Sequence, residues 1–298
     1  MVYYKKLPPE GVDGMDRITK ESVKAALPVR DPYGHKGTFG KVLCVCGSVG
    51  YTGAPIFASR AAVRSGSGLV FLAVPERIWQ VAAVKSDEAM PFPLQDMEGK
   101  LCADSWPQIE ERAKACDAVL YGCGLGRSAE LDELARQVLT LPQPLVLDAD
   151  GINALSGHMD GLARREGITV LTPHEGEFLR AGGDLHRGRV DGAVDFARKY
   201  GVYLVLKGHE TVVAAPDGRY RINTTGNCGM AKGGSGDVLA GMLVSLLGQD
   251  MDAFEACCAA VYLHGLAGDL AAREKGERGM TPTDLLERIP NAYLKAEK

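Results

Sequence analysis

Six short apolar runs recur along the first two thirds of the chain, and helical or turn-rich segments separate them. Strands that are apolar throughout are typical of a sheet buried on both faces, and their alternation with helices indicates parallel pairing. The sequence therefore predicts an α/β protein with three α/β/α layers and a mostly parallel central sheet. The predicted strands are residues 42–46, 69–74, 118–121, 145–147, 169–171 and 203–206.

The alternation breaks at residues 207–222, where two short apolar runs flank Pro216-Asp217-Gly218. These three residues are typical of a tight turn, so we expect an antiparallel hairpin at the sheet edge. No internal repeat or low-complexity linker follows it. We therefore expect a single domain over residues 1–298, of which residues 1–30 are a polar lead. Three further helices are predicted near residues 237–247, 254–274 and 283–295.

Composition limits the partners and the compartment of the protein. A net charge of −4 over 298 residues gives no basic surface for nucleic acid. The N-terminus has no apolar core of signal-peptide length, and the longest apolar helix, Val238 to Leu247, is too short to span a bilayer, so no membrane contact is expected. The eight cysteines are scattered without a CxxC pair, and a core of this size needs no disulfides. We expect reduced thiols and a cytoplasmic protein that binds small molecules.

A glycine-rich segment, NCGMAKGGSGD, opens the first of the three C-terminal helices. Glycine adopts positive φ and lets backbone approach a ligand, and free N–H groups at a helix start attract anions. Gly229, Gly233, Gly234 and Gly236 therefore predict a phosphate-binding loop. Asp237 is either a helix cap or, beside a bound phosphate, a base or metal organiser. An ordinary cap needs one Ser or Asp rather than GGSG, which favours a ligand site.

The loops after the predicted strands should meet at one edge of the sheet, where open α/β sheets bind ligands. One of these loops, GCGLG at residues 122–126, matches only the first two glycines of the dinucleotide fingerprint G-x-G-x-x-G, because Arg127 occupies the third position. The loop is either a turn on which a ligand lies flat or a purely structural turn, and the sequence leaves both interpretations open. No G-x-x-x-x-G-K-[ST] motif occurs, which excludes a Walker-type triphosphate loop.

Three other strand ends carry polar residues with two interpretations each. In DADGIN, Asp148 or Asp150 could bind magnesium, directly or through water, or Asp150 could cap a helix. In TPHEGEF, His174 either caps the next helix or hydrogen-bonds a substrate, and Glu177 favours the helix dipole. In KGHET, Lys207 is either a solvated strand end or a nucleotide ligand. The six histidines lack metal-ligand spacing, which argues against zinc.

Together and in this order, the motifs resemble the ADP- or ATP-dependent NAD(P)H-hydrate dehydratase family. The matching segments are HKGTFGKVLCVCGSVGYTGAPIFASRAAVRSGSGLV, GCGLG, DADGIN, TPHEGEF, LKGHETVV and NTTGNCGMAKGGSGDVLAG, from His35 to Gly248. HKG, TPHxGE and GMAxGGxGD are more specific than the GxGD shared by ribokinase-like kinases. The resemblance implies a ribokinase-like fold. It also implies a Mg²⁺-dependent hydro-lyase that restores NADH or NADPH from its hydrated S epimer, converting ADP or ATP into AMP or ADP and phosphate.

The resemblance assigns roles to residues through the matching motifs. Asp237 would take the proton of the substrate hydroxyl, and backbone amides would stabilise the charge on the transferred phosphoryl group. Glu177 would organise magnesium through water. The expected contacts of the hydrated dinucleotide are Ala54, Gly126, His174 and Asp237. The expected contacts of the nucleotide donor are Lys207, Gly208, His209, Glu210, Thr211 and Gly236, and the expected anion hole is Gly233, Gly234, Ser235 and Gly236.

The chain departs from the family pattern at four positions. Cys228 stands where proline is common, and Pro55 interrupts the usual GAA. Lys232 and Ser235 stand where threonines are common. Ser235 keeps the hydroxyl, whereas Lys232 is expected to add a cation near the donor phosphates.

The resemblance also implies partners. Many family members carry an epimerase domain ahead of the dehydratase domain, and no epimerase domain is expected in this chain. A separate NAD(P)H-hydrate epimerase and a homo-oligomer such as a tetramer are therefore expected. Two other functions are open: a ribokinase-like kinase for a vitamin-precursor alcohol of the hydroxymethylpyrimidine or hydroxyethylthiazole type, and a silent nucleotide sensor. The intact Asp237 argues against the sensor.

Overall fold

A nine-stranded sheet forms the centre of the computed structural model, which describes residues 16–298. In chain order the strands are β1 (Lys41–Val45), β2 (Leu69–Pro75), β3 (Met90–Leu94), β4 (Asp96–Met97), β5 (Lys100–Leu101), β6 (Ala118–Tyr121), β7 (Leu145–Leu147), β8 (Thr169–Leu171), β9 (Tyr203–Leu206), β10 (Val212–Ala214) and β11 (Tyr220–Ile222). The order across the sheet is β11-β10-β9-β8-β7-β6-β1-β2-β3, and β4 and β5 pair separately.

Pairing within the large sheet is parallel except at β10, which runs antiparallel to both β9 and β11. The predicted parallel sheet and edge hairpin are therefore confirmed. The four strands from β6 to β9 begin and end at the predicted residues, because strands buried on both faces are apolar over their whole length.

The sequence pattern does not predict β3, because two of its five residues are prolines. Proline cannot donate to a neighbouring strand and ordinarily argues against a central strand. β3 lies at the edge of the sheet and pairs with β2 alone. An edge strand tolerates Pro91 and Pro93, since one side of it needs no hydrogen-bond partner.

Helices cover both faces of the sheet. In chain order they are α1 (Lys20–Ala26), α2 (Gly53–Arg64), α3 (Glu76–Lys85), α4 (Trp106–Lys114), α5 (Ala129–Val138), α6 (Asp150–Ala154), α7 (Glu175–Arg180), α8 (Arg189–Tyr200), α9 (Ser235–Gly248), α10 (Ala253–Gly279) and α11 (Pro282–Glu297). Helix α10 is kinked at Gly276, where φ is 71°. Short 3₁₀ helices lie at Ala103–Ser105, Met159–Arg164 and Cys228–Met230.

Alternate residues of each strand pack into two cores. Val42 of β1 packs with residues of α2, α9, α10 and α11, whereas its neighbour Leu43 packs with residues of α4, α5, α7 and α8. Helix α9 packs closely on α2, where a Cβ on Gly241 would lie 2.1 Å from the carbonyl oxygen of Ala58. The predicted three-layer architecture is confirmed, and α9 is buried along its length with only its N-terminus at the strand ends.

The described part of the polar lead contacts the last strand of the sheet. The Ile18 N–H donates to the Ile222 carbonyl at 3.0 Å, and Thr19 caps α1. Residues 1–15 of the lead lie outside the described residues. None of the helices in residues 16–298 combines the length and apolarity that a bilayer crossing requires. All eight cysteines are free thiols, and all but Cys228 are buried.

Candidate active site

The N-terminus of α9 presents a group of backbone amides, which we call the glycine cradle (residues 233–236). Its N-cap residue, Gly234, has a φ of 106°, a conformation that favours glycine. Within residues 16–298, the N–H groups of Gly233, Gly234, Gly236 and Asp237 have no hydrogen-bond acceptor. A Cβ built on Gly233 meets no atom within 4 Å, so the cradle is open at this residue, whereas one built on Gly234 would lie 2.8 Å from the Phe57 ring. Unpaired amides at a helix start bind anions.

Asp237 lies in the first turn of α9 and does not cap the helix, since the helix start has no side-chain cap bond. One oxygen of its carboxyl group lies within 4.8 Å of the Cys123 sulfur and of an Asp148 oxygen. Burial, followed by the charge of Asp148, raises the pKa of Asp237 to about 7. A carboxyl group that titrates near neutral pH suits a general base.

The ammonium of Lys207 lies beside the glycine cradle at the end of β9. A Cβ built on Gly236 would lie 3.3 Å from Lys207 Nζ. This Nζ donates to Asp148 Oδ1 at 2.8 Å and lies 4.0 Å from Glu177 Oε2. Burial lowers the pKa of Lys207, but the charges of Asp148 and Glu177 outweigh burial and raise it. Lys207 is therefore a cation held at the cradle and not a solvated strand end.

Asp148 is buried, and both of its carboxylate oxygens accept hydrogen bonds. Oδ1 accepts from Thr172 Oγ1 at 2.6 Å as well as from Lys207, and Oδ2 accepts from Cys123 Sγ at 3.5 Å. Burial raises the pKa of Asp148, but the Lys207 ammonium and these donors lower it below its ordinary value. Asp148 is therefore the counter-ion of Lys207.

The GCGLG loop joins two predicted substrate contacts. The N–H of Gly126 donates to Asp150 Oδ2 at 2.8 Å, whereas the start of α6 has no side-chain cap bond. Asp150 therefore holds the loop rather than capping a helix. A Cβ built on Gly124 would lie 2.7 Å from the Cβ of Ala54. Ala54, at the start of α2, therefore packs against the loop that carries Gly126.

His174 is the N-cap residue of α7. Its Nδ1 accepts from the N–H of Gly176 at 3.0 Å and of Glu177 at 3.3 Å, and Glu177 Oε2 accepts from the His174 N–H at 2.9 Å. This reciprocal pair is a capping box. The His174 side chain remains 55% exposed. A parallel bridge joins His174 to Lys207, which places α7 at the same rim as the cradle.

Asp148 and Glu177 have carboxylate oxygens of the kind that Mg²⁺ binds, but the neighbouring Lys207 ammonium limits how they can coordinate the ion. The Lys207 ammonium contacts both Asp148 and Glu177, so an ion coordinated directly by both carboxylates would lie against a positive charge. Direct coordination by this pair therefore does not fit. A hydrated ion carried by donor phosphates fits Glu177 as a partner of its waters.

Arg189, the first residue of α8, fixes the KGHET loop, and no sequence motif predicts this role. Its guanidinium is partly buried, and burial lowers its pKa. The guanidinium spans the loop by donating to several backbone carbonyls, which sets the loop conformation. The acceptors are the carbonyls of Leu206, Lys207, His209 and Glu210.

Helix α10 holds the cradle and the segment that precedes it. His264 Nε2 contacts the carbonyl of Ser235 at 2.9 Å, and burial lowers the pKa of His264 to about 4. The ring is therefore neutral and donates its Nε2–H to this carbonyl. Asp269 accepts from the N–H of Gly226 at 3.0 Å. Sequence reasoning missed His264, because it lies in a helix without a recognisable motif.

Two departures from the family pattern contact the end of α10. Lys232 Nζ donates to the carbonyl of Arg278 at 3.0 Å and to that of Met280. Cys228 Sγ donates to Glu277 Oε2 at 3.0 Å. The Lys232 ammonium is therefore bound to carbonyls at a helix C-terminus, where cations are favoured. That it adds a cation near the donor phosphates stays a prediction.

Gly265→Ala is expected to displace the segment before the cradle. Its Cβ would lie 2.6 Å from backbone atoms of Thr225, which cannot move alone. We expect a loss of about 1–3 kcal/mol in the free energy of unfolding from this overpacking. Gly268→Ala is the matched control, because its Cβ would meet only the flexible side chain of Met230. Chemical denaturation of both variants checks the prediction, and equal stability of the two would contradict it.

Comparisons with known proteins bear on the family to which this chain belongs. A family model described as Carb_kinase, NAD(P)H-hydrate dehydratase, matches residues 42–291. A bifunctional NAD(P)H-hydrate repair enzyme of Moorella thermoacetica is 41% identical over 287 residues, covering 94% of this chain and 54% of that protein. An ADP-dependent (S)-NAD(P)H-hydrate dehydratase of Bacillus subtilis is 34% identical over 284 residues, covering 94% of this chain and 98% of that protein.

A solved structure of an NAD(P)H-hydrate dehydratase has a similar fold. The crystal structure of an ADP/ATP-dependent NAD(P)H-hydrate dehydratase from Bacillus subtilis, co-crystallised with ATP and Mg²⁺, matches with a TM-score of 0.81 and 33% identity. The match covers 96% of this chain and 100% of that one. The ribokinase-like fold is confirmed. The chain spans about half the length of the bifunctional relatives. The extent of these matches shows that the chain belongs to the NAD(P)H-hydrate dehydratase family.

Proposed function

We propose that this chain dehydrates the S epimer of hydrated NADH or NADPH with ADP or ATP as phosphoryl donor. The observation that carries the proposal is the arrangement at the start of α9: open backbone amides, the Lys207 ammonium, and the Asp237 carboxyl group with a pKa of about 7. The substrate class is supported by membership of the family and by the names of its relatives.

The chemistry converts a poor leaving group into a good one. As the hydroxyl oxygen of the hydrate bonds to the terminal phosphorus of the donor, its proton passes to Asp237 and the bond to the donor's bridging oxygen breaks. The donor leaves as AMP or ADP. The ring-nitrogen lone pair then expels phosphate, and loss of a proton from the neighbouring ring carbon restores the reduced nicotinamide.

The cradle amides and Lys207 stabilise charge during this transfer. The N–H groups of the cradle bind the oxygens of the transferred phosphoryl group, where negative charge is concentrated. Lys207 adds a fixed cation beside them. Bound Mg²⁺ would neutralise the donor phosphates, with Glu177 contacting its waters.

The remaining residue roles are those that the family resemblance assigns. Ala54 and Gly126 contact the hydrated dinucleotide together with His174 and Asp237. The KGHET loop, which comprises Lys207, Gly208, His209, Glu210 and Thr211, holds the donor nucleotide with Gly236. Arg189 supports this assignment by fixing the loop backbone.

We propose further that the chain works as one domain and as a homo-oligomer, and that a separate protein epimerises the R hydrate. The cytoplasm is the proposed compartment. Eight free thiols are compatible with its reducing conditions.

Incubation of the purified protein with hydrated NADH, ADP and Mg²⁺ tests the function. We expect NADH absorbance to return with one inorganic phosphate and one AMP per NADH. Omission of ADP is the control. Phosphorylation of a hydroxymethylpyrimidine or hydroxyethylthiazole alcohol without return of NADH would establish the kinase instead, and nucleotide binding without either reaction would establish the sensor.

The pH dependence of kcat/KM is expected to show an acid limb near pH 7. The basic form of Asp237 is present above its pKa of about 7 and is lost as pH falls, so the rate should drop about tenfold per pH unit below that value. Initial rates from about pH 5 to 9 at saturating Mg²⁺ measure this limb. A rate independent of pH between about 5 and 7 would contradict the assignment of Asp237 as the base.

A further inference from the structure

We infer that Cys123 is a positioning residue for Asp237: its thiol, which donates to Asp148 in this structure, turns to Asp237 and holds that carboxylate once it ionises. The inference rests on the proposed role of Asp237 as base. With this role for Cys123, the GCGLG loop takes part in the reaction and is more than a turn on which a ligand lies.

The geometry places one thiol between two carboxyl groups. Cys123 Sγ donates to Asp148 Oδ2 at 3.5 Å, and the sulfur, an Asp148 oxygen and an Asp237 oxygen all lie within 4.8 Å of one another. The Cys123 side chain is fully buried. Its backbone carbonyl accepts from the Gly47 N–H at 2.8 Å, which fixes the residue against the end of β1.

The thiol proton stabilises most the carboxylate that has the fewest other hydrogen-bond donors. Asp148 already accepts from Thr172 and Lys207. Within the part of the chain that the structure describes, no donor is hydrogen-bonded to the Asp237 carboxyl group, and the Cys123 sulfur lies within 4.8 Å of one of its oxygens. Once Asp237 ionises, the thiol gains more by turning to it than by remaining a third donor to Asp148.

The thiol acts as a donor and not as a nucleophile. The contact with the Cys46 thiol, followed by burial, raises the pKa of Cys123 well above its ordinary value. The group therefore stays protonated through the working range and keeps a hydrogen to donate. A buried thiolate at this position would repel both carboxylates.

The groups that face Asp237 come from the loops after three strands. Asp148 and Asp150 disfavour its ionised form by repulsion, whereas Cys123 and Lys207 favour it. Removal of the thiol leaves Lys207 alone to oppose burial and two negative charges. The carboxyl group should then ionise at higher pH.

Titration of Asp237 by ¹³C NMR in aspartate-labelled protein tests the inference without substrate. In Cys123→Ala we expect the apparent pKa of Asp237 to rise by about 0.5–1 pH unit, because one hydrogen bond to the ionised form is lost. Cys123→Ser retains a donor and should keep the pKa at or below the wild-type value. Cys116→Ala removes another buried thiol, at the approach to β6, and should leave the titration unchanged.

Two results would overturn the inference. One is a Cys123→Ala titration that coincides with the wild type, and the other is an equal shift in Cys116→Ala, which would indicate a general effect of core thiols. Since the titration needs no turnover, it reports on Cys123 even in a protein that fails to dehydrate hydrated NADH. In an active protein the acid limb of kcat/KM should move with the NMR titration.

Discussion

Asp237→Asn is expected to lower turnover by about 10²-fold or more while leaving nucleotide binding intact. The amide has the shape of the carboxyl group but cannot accept the hydroxyl proton, so the loss should appear in kcat more than in the KM for the donor. Rapid-quench turnover and equilibrium binding of ADP separate the two effects.

The same substitution should stabilise the fold at neutral and alkaline pH. The folded state raises the pKa of Asp237 from 3.8 to about 7, so ionisation at pH 8 costs stability in the wild type and not in the variant. We expect a gain of about 1–3 kcal/mol in the free energy of unfolding. The gain should shrink as pH falls from 7 to 4, where wild-type folded Asp237 becomes protonated.

Asp252→Asn is the matched control for Asp237→Asn. Asp252 caps α10 by accepting from the N–H groups of Phe254 and Glu255, so its carboxylate is structural. Asparagine also caps helices, and this variant should keep wild-type turnover. Wild-type turnover in Asp237→Asn as well would show that Asp237 is not the base.

Lys207→Met is expected to have the second large effect. It leaves Asp148 and Glu177 without their cation, which should cost about 3–5 kcal/mol of stability at pH 7. It also removes the charge that lowers the pKa of Asp237. We expect the acid limb to move above pH 7 and kcat/KM at pH 7 to fall by about 10²-fold. Steady-state kinetics across pH and thermal unfolding measure both effects.

Lys232→Met is the control for the loss of a lysine near the cradle. Its ammonium contacts carbonyls at the end of α10, so its loss should leave the acid limb unchanged. The stability difference between Lys207→Met and the wild type should diminish below about pH 4, because Asp148 has a lowered pKa and its contribution is lost as it becomes protonated. Equal acid limbs in the two lysine variants would contradict the role of Lys207.

The strands could be predicted from the sequence where burial alone determined which positions are apolar. The strands from β6 to β9 are apolar at every position except Thr169, because helices cover both faces of the sheet. The edge strand β3 could not be predicted from the sequence. Pro91 and Pro93 are tolerated only where one side of the strand has no neighbouring strand, and the local sequence pattern does not show where a strand lies in the sheet.

The site could be predicted only as far as its motifs extend. GGSGD indicated an anion site, and the structure supports it with open amides. The environment of Asp237 could not be derived, because Cys123, Asp148 and Lys207 come from three distant loops whose distances depend on sheet order. Likewise, a buried histidine on α10 and an arginine that spans four carbonyls have no sequence signature.

The transfer of oxygen provides the most direct test of phosphorylation at the substrate hydroxyl. Hydrated NADH labelled with ¹⁸O in that hydroxyl is converted with ADP in unlabelled water, and the released phosphate is analysed by mass spectrometry. We expect one ¹⁸O atom per phosphate, because the C–O bond breaks after the oxygen has become bound to phosphorus. Unlabelled phosphate, with the ¹⁸O in water, would contradict it.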